Sequence, residues 1–148
     1  MEFHYKEYHD ILSVECPPKS YKPEETRAYR WVSDDIEDSN NFIPQYHKNP
    51  KRFNDKSDHK KCIAMSLSLY KDVGSAVERF VFFKEEQGMG ERAFRILGRC
   101  IAEGILSEND GVNERKKSGE PIETGHFSHH PALDYDYAKK FKIVASFI

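Results

Sequence analysis

Five residues and one short cluster in this chain have the chemistry a functional site needs: Tyr29, Arg30, Ser66, Ser68, Glu103 and the histidines of residues 125–131. Arg30 stands between Tyr29 and Trp31. Its planar guanidinium suits paired contacts with phosphate or carboxylate, and serves equally well as partner to a carboxylate of its own fold. Ser66 and Ser68 lie two apart in an alternating stretch, so an extended chain puts both hydroxyls on one sheet face. Such a face fits a ligand or a partly wetted surface. Glu103 lies between Ile101 and Ile105 at the same two-residue spacing. If that face is buried its carboxylate needs a partner, because an isolated buried charge is costly; on an exposed face it needs none.

The histidines invite a metal reading. His59 with Cys62, and His126 with His129, each at i and i+3, together make four ligands of kinds that zinc accepts. Against this, the chain has no Cys-x-x-Cys pair and no His-Glu-x-x-His. Histidines that simply hydrogen-bond are the plainer reading, and no metal is assigned. There is also no glycine-rich phosphate loop and no Gly-x-Ser-x-Gly nucleophile turn.

The elements that must hold these residues read as follows. Residues 62–86 are the organising unit. Over residues 63–70, Ile63, Met65, Leu67 and Leu69 alternate with Ala64, Ser66, Ser68 and Tyr70, which predicts a strand. A turn at Lys71 and Asp72 leads to a helix started by a Ser75–Glu78 capping box and ended near Gly88. Val77, Phe80 and Val81 form the side that docks on a sheet. Residues 26–32 predict the first strand, 99–106 a later one, and 142–148 a closing one. Residues 1–12 predict a short amphipathic helix ended by Cys16-Pro17-Pro18, and 91–97 and 131–141 predict short helical pieces. Residues 33–58 are polar, without periodicity, and predict a long, partly ordered loop over one end of the sheet, anchored by Phe42, Ile43 and Phe53. Asn109-Asp110-Gly111 signals a turn, and residues 113–124 are polar and mobile in character. The whole predicts an α+β domain, a mixed or antiparallel sheet with a few short helices. Residues 1–25 supply an N-terminal helix and connector, and 26–148 the core.

The order of Tyr29-Arg30, Ser66-Leu67-Ser68 followed at once by a turn and a helix, and Glu103 on a later strand resembles the ADP-ribosyltransferase-like fold, including small NAD-consuming toxin domains. The resemblance implies NAD as cofactor. Arg30 then grips the dinucleotide phosphates, Ser66 or Ser68 shapes the nicotinamide pocket, and Tyr29 joins the cofactor-binding residues. Glu103 acts at the ribose, and His126 adds a polar contact. The likeness spans residues 28–106 and departs from the family in two places. Leucine stands between the serines where threonine is common, and Ile101 occupies the place of a second glutamate. A non-catalytic protein-interaction module is the alternative, suggested by the surface charge and the aromatic N-terminus (Phe3, Tyr5, Tyr8); a zinc-binding domain is a third.

The totals set limits. At 148 residues the chain holds one domain with a real core. An aromatic share of 13% argues against disorder. A net charge of −2 gives no electrostatic case for binding nucleic acid in bulk. Three scattered cysteines suggest a reduced compartment rather than a disulfide framework. No apolar run is long enough to span a membrane, and the polar N-terminus does not read as a signal peptide. Cytoplasm is the expected location, with a small nucleotide or a protein as partner.

Overall fold

Strand β1, Thr26–Val32, forms where the alternation of its residues predicts it. Ala28 and Val32 point to one side of the sheet, Tyr29 and Trp31 to the other. The structure, a computed structural model, describes residues 1–115 and 125–147. Beside β1 lies β3, Cys100–Leu106, paired along its whole length from Thr26–Leu106 to Val32–Cys100. On its other side β2, Leu67–Tyr70, touches β1 in register only at Tyr29–Tyr70. Strands β4 (Gly111–Asn113), β5 (His126–Pro131) and β6 (Phe141–Ser146) complete one antiparallel sheet in the order β4-β5-β2-β1-β3-β6. With its helices this is the expected α+β architecture.

Each sheet face carries its own core. On one side Ala28, Val32, Leu67, Leu69, Ala102, Leu106 and Phe127 pack with Phe141 and with Tyr137 of a short helix, Tyr137–Lys140. Phe42 caps this side, its ring 5.5 Å from Tyr137 and 5.3 Å from Phe141. On the other side the helices Val73–Val81 and Ala93–Leu97 bring Ala76, Val77, Phe80, Phe94 and Leu97 onto Tyr29, Trp31, Tyr70 and Ile101. Each large apolar side chain fully buried in this way contributes roughly 1.5–3 kcal/mol. Trp31 fixes the contact by donating its indole N–H to the carbonyl of Ala76 at 2.8 Å. Gly104 does not weaken β3 as its type suggests. A Cβ there would come within 2.7 Å of the Phe141 ring, so the glycine makes room for that ring.

Several expectations need correction. Residues 63–66 are not strand. They belong to or follow a helix, Asp58–Ala64, whose first turn is capped by Ser57 accepting from the Lys60 N–H. Cys62 and Met65, three apart, share its buried side, while Ile63 is 43% exposed. Four alternating residues were too few to separate the two periods. The Val73–Val81 helix starts at Asp72, whose carboxylate accepts from the Ser75 N–H at 2.7 Å; the Ser75–Glu78 box is not used. It continues through a wider turn, Phe82–Glu86, and stops at Gly88, φ +64°.

The N-terminal helix shrinks to Lys6–His9, and the helix expected over 131–141 to Tyr137–Lys140. Residues 126–131, expected as a histidine cluster without an element, are β5. The 33–58 stretch contains 3-10 turns at Ser39–Phe42 and Pro50–Phe53 and a helical turn at Gln45–Lys48. Asn113 lies in β4, and the rest of the expected mobile stretch, 116–124, lies outside the described residues. Cys16 and Cys62 are not free thiols: they form a disulfide across 46 positions, leaving Cys100 as a buried thiol. Among the described residues no helix is long and apolar enough to cross a membrane.

Candidate functional site: a basic cleft where two strands part

Because β1 and β2 meet at a single register pair, their backbones separate beyond Tyr29 and Tyr70. Arg30 fills the gap. Its Nε donates to the carbonyl of Asn41 at 2.6 Å and one Nη to the carbonyl of Ser68 at 2.9 Å. The second bond stands in for a strand–strand hydrogen bond. Asn41 is itself fixed, its amide oxygen accepting from the Ser33 N–H and its amide nitrogen donating to the Asp35 carbonyl, both at 2.8 Å. Among the described residues the guanidinium's hydrogen bonds go to carbonyl oxygens alone, and it has N–H donors beyond the two in use. Burial pushes its pKa down to about 10, so it stays charged at neutral pH.

Around it opens a cleft of about 600 Å³. Lys48, Arg52, Arg79 and Arg95 join Arg30 in its wall, against one carboxylate, Asp38. Among the described residues none of these five cations is in a salt bridge. Lys48 has its pKa lowered by burial and by Arg30, partly offset by Asp38. Arg79 instead lies over the rings of Phe82 and Phe83, 5.0 and 4.5 Å from their centres. Tyr70, Phe53 and Phe83 supply aromatic wall, and Ser68 lines the opening. Like charges held together without counter-charge raise one another's energy, and an anion relieves it. In a chain of net charge −2, this concentration of positive charge has the electrostatics that suit an anionic ligand.

The sequence-predicted residues divide sharply. Arg30 and Ser68 come together in the cleft. Glu103 does not join them. It pairs in register with Tyr29, on the sheet face opposite Arg30, and accepts a hydrogen bond from the Tyr29 hydroxyl at 2.8 Å. Tyr29 is therefore drawn to that face as well. Ser66 is buried and donates to the Ile63 carbonyl at the end of its helix. His126 opens β5 edge-on to Tyr70, away from the cleft lining. The four suggested zinc ligands also stay apart. His59 is exposed, Cys62 is in the disulfide, and His129 is held between Asn113 and Tyr137.

Sequence reasoning does not single out Lys48, Arg52, Arg79 and Arg95 as site residues. Lys48 and Arg52, four apart in a basic run, were the available signal; Arg79 and Arg95 sit on helices whose positions only the tertiary fold relates. A second cleft, about 690 Å³, lies across Asp38 and has the opposite character, with Glu37, Asp38, Asp134 and Asp136 beside Tyr5, His47 and Tyr135. Compared with known proteins, the chain matches no family model, no curated protein and no solved structure.

Proposed function

We propose that the basic cleft binds a small phosphate-bearing ligand, of the nucleotide or dinucleotide class that the ADP-ribosyltransferase-like resemblance implies. The observation that carries the reading is Arg30: part-buried, hydrogen-bonded among the described residues to carbonyls alone, and sharing the cleft wall with four further cations that have no ion-pair partner among those residues. Phosphate oxygens accept bidentate bonds from guanidinium groups, and an aromatic wall suits a base. Glu103, which does not line this cleft, has no catalytic role in the reading. It is a binding site, with NAD as one candidate ligand and no ribose chemistry assigned.

Calorimetric titration with pyrophosphate, ADP and NAD tests it. ADP is expected to bind, and Arg30→Gln to weaken it at least about tenfold, near 1.4 kcal/mol, the scale of one charge-assisted hydrogen bond. Since Arg30 also ties β1 to β2, Lys48→Gln with Arg52→Gln serves as the variant that leaves the sheet alone. No binding of any of the three at millimolar concentration ends the proposal. A second reading, a protein-interaction module, draws on β6: it is an edge strand with Val144 exposed. A cytoplasmic setting goes with the reduced state of Cys16 and Cys62, and the disulfide with a non-reducing one.

A further inference from the structure

Four segments remote in sequence meet under the N-terminal arm. His9 ends the first helix, Cys16 lies in the connector to β1, Cys62 in the Asp58–Ala64 helix, and His130 in β5. His9 is 4% exposed, Cys62 2% and His130 0%. The ligand-capable atoms of His9, Cys16 and His130 all lie within 4.8 Å of one another, and Cys62 Sγ is 3.9 Å from His130 Nε2. Phe3 and Tyr21 close the sides, their rings against His9 and His130. Among the described residues neither ring nitrogen of His9 has a hydrogen-bond partner, and neither does Nδ1 of His130. Unpartnered buried imidazole nitrogens are expensive and rare. Here three of them belong to the two histidines beside the Cys16–Cys62 disulfide.

We propose that, once Cys16 and Cys62 are reduced, His9, Cys16, Cys62 and His130 hold a zinc-class divalent cation in a tetrahedral Cys2His2 site. Zinc bonds of about 2.3 Å to sulfur and 2.0–2.1 Å to nitrogen put tetrahedral ligand atoms roughly 3.3–3.8 Å apart. Cys62 Sγ, 3.9 Å from His130 Nε2, is already near that spacing, and the His9, Cys16 and His130 atoms close on it from at most 4.8 Å while the two sulfurs part. Burial lowers the pKa of both imidazoles, keeping them neutral with lone pairs available. Two thiolates and two imidazoles select zinc over magnesium or calcium. All four tetrahedral positions come from protein, so the ion is a clamp rather than a catalyst. It fastens the N-terminal arm to β5 and to the helix beneath.

The chemistry balances. A thiol reductant gives two electrons and two protons to the Cys16–Cys62 bond and leaves as its own disulfide. The two new thiols then release two protons to solvent as the cation binds. Disulfide and metal are thus alternative closures of one site. The proposal is independent of the basic cleft, and of the earlier zinc candidates it keeps only Cys62.

The full chain, reduced with a phosphine and titrated with Co²⁺, tests this. One cobalt per chain is expected, with the d–d absorption of a tetrahedral ion and a thiolate-to-cobalt charge-transfer band, both lost on adding Zn²⁺. The oxidised chain is expected to take none. His9→Gln and His130→Gln each weaken binding at least tenfold, and His59→Gln leaves it unchanged. Should those variants fold poorly, the unaltered protein decides: zinc is expected to slow alkylation of Cys16 and Cys62 at least tenfold. A reduced chain with no tetrahedral cobalt spectrum, or thiols alkylated at the same rate with and without zinc, overturns the assignment.

Discussion

His129 and His130 are neighbours in β5, both fully buried, and the fold treats them in opposite ways. His129 points to the side of Phe127 and Tyr137. One ring nitrogen meets the Asn113 amide oxygen and the other the Tyr137 hydroxyl at 2.7 Å. His130 points to the other side, toward His9, Tyr21 and Cys62, and its Nδ1 has no partner. Alternation along one strand separates the two environments by a single residue. A buried histidine with both nitrogens satisfied holds structure; His130, with Nε2 facing the Cys62 sulfur and Nδ1 unpartnered among the described residues, is arranged to bind.

The largest expected effect is on the satisfied side. His129→Leu strands the Asn113 amide and the Tyr137 hydroxyl, both buried, and each costs about 1–3 kcal/mol. Denaturant unfolding is expected to show a loss of about 3 kcal/mol, the same in oxidised, reduced and zinc-loaded protein. A loss confined to one of those states would mean that His129 belongs to the metal system. His130→Leu should behave differently. In the oxidised protein it removes an unpartnered nitrogen and leaves stability within about 1 kcal/mol. In the reduced protein it abolishes the gain from zinc, about 2.7 kcal/mol when free zinc is a hundredfold above its dissociation constant. Equal effects in the two redox states would erase the contrast with His129.

The same contrast explains what was legible in the sequence. The 26–32 strand, the 99–106 strand and the Gly88 helix end were readable because each rests on a local rule of period or turn chemistry. Arg30 was readable as a candidate for an anion contact for the same reason: its residue type and its place between aromatics are local facts. What escaped depends on which side of the sheet a residue faces and what lies opposite. Glu103 shares an order of motifs with Arg30 but pairs with Tyr29, one position off, and so lies on the other face. Cys16 and Cys62 gave no spacing signal across 46 positions. The β5 histidines were invisible as a strand because polar side chains mask alternation when both faces are buried.

Acid titration of the oxidised chain gives the smallest effect and the finest test. Burial lowers the pKa of His129 to about 4 and of His130 to about 3, from 6.5. Asp110 works against that shift at His129, while His9 adds to it at His130. Below pH ~6.5 the unfolded chain therefore binds protons that the folded chain refuses. Stability is fully present above that pH and falls as pH drops toward about 4 for His129 and about 3 for His130. Each group contributes a slope of at most ~1.4 kcal/mol per pH unit. His130→Leu is expected to make the slope shallower by about one proton's worth, and unfolding midpoints measured between pH 4 and 6 read it directly, with the range set by the ~6.5 unperturbed histidine value. An unchanged slope would mean that His130 takes up its proton in the folded protein, where a ring nitrogen already charged is closed to a metal.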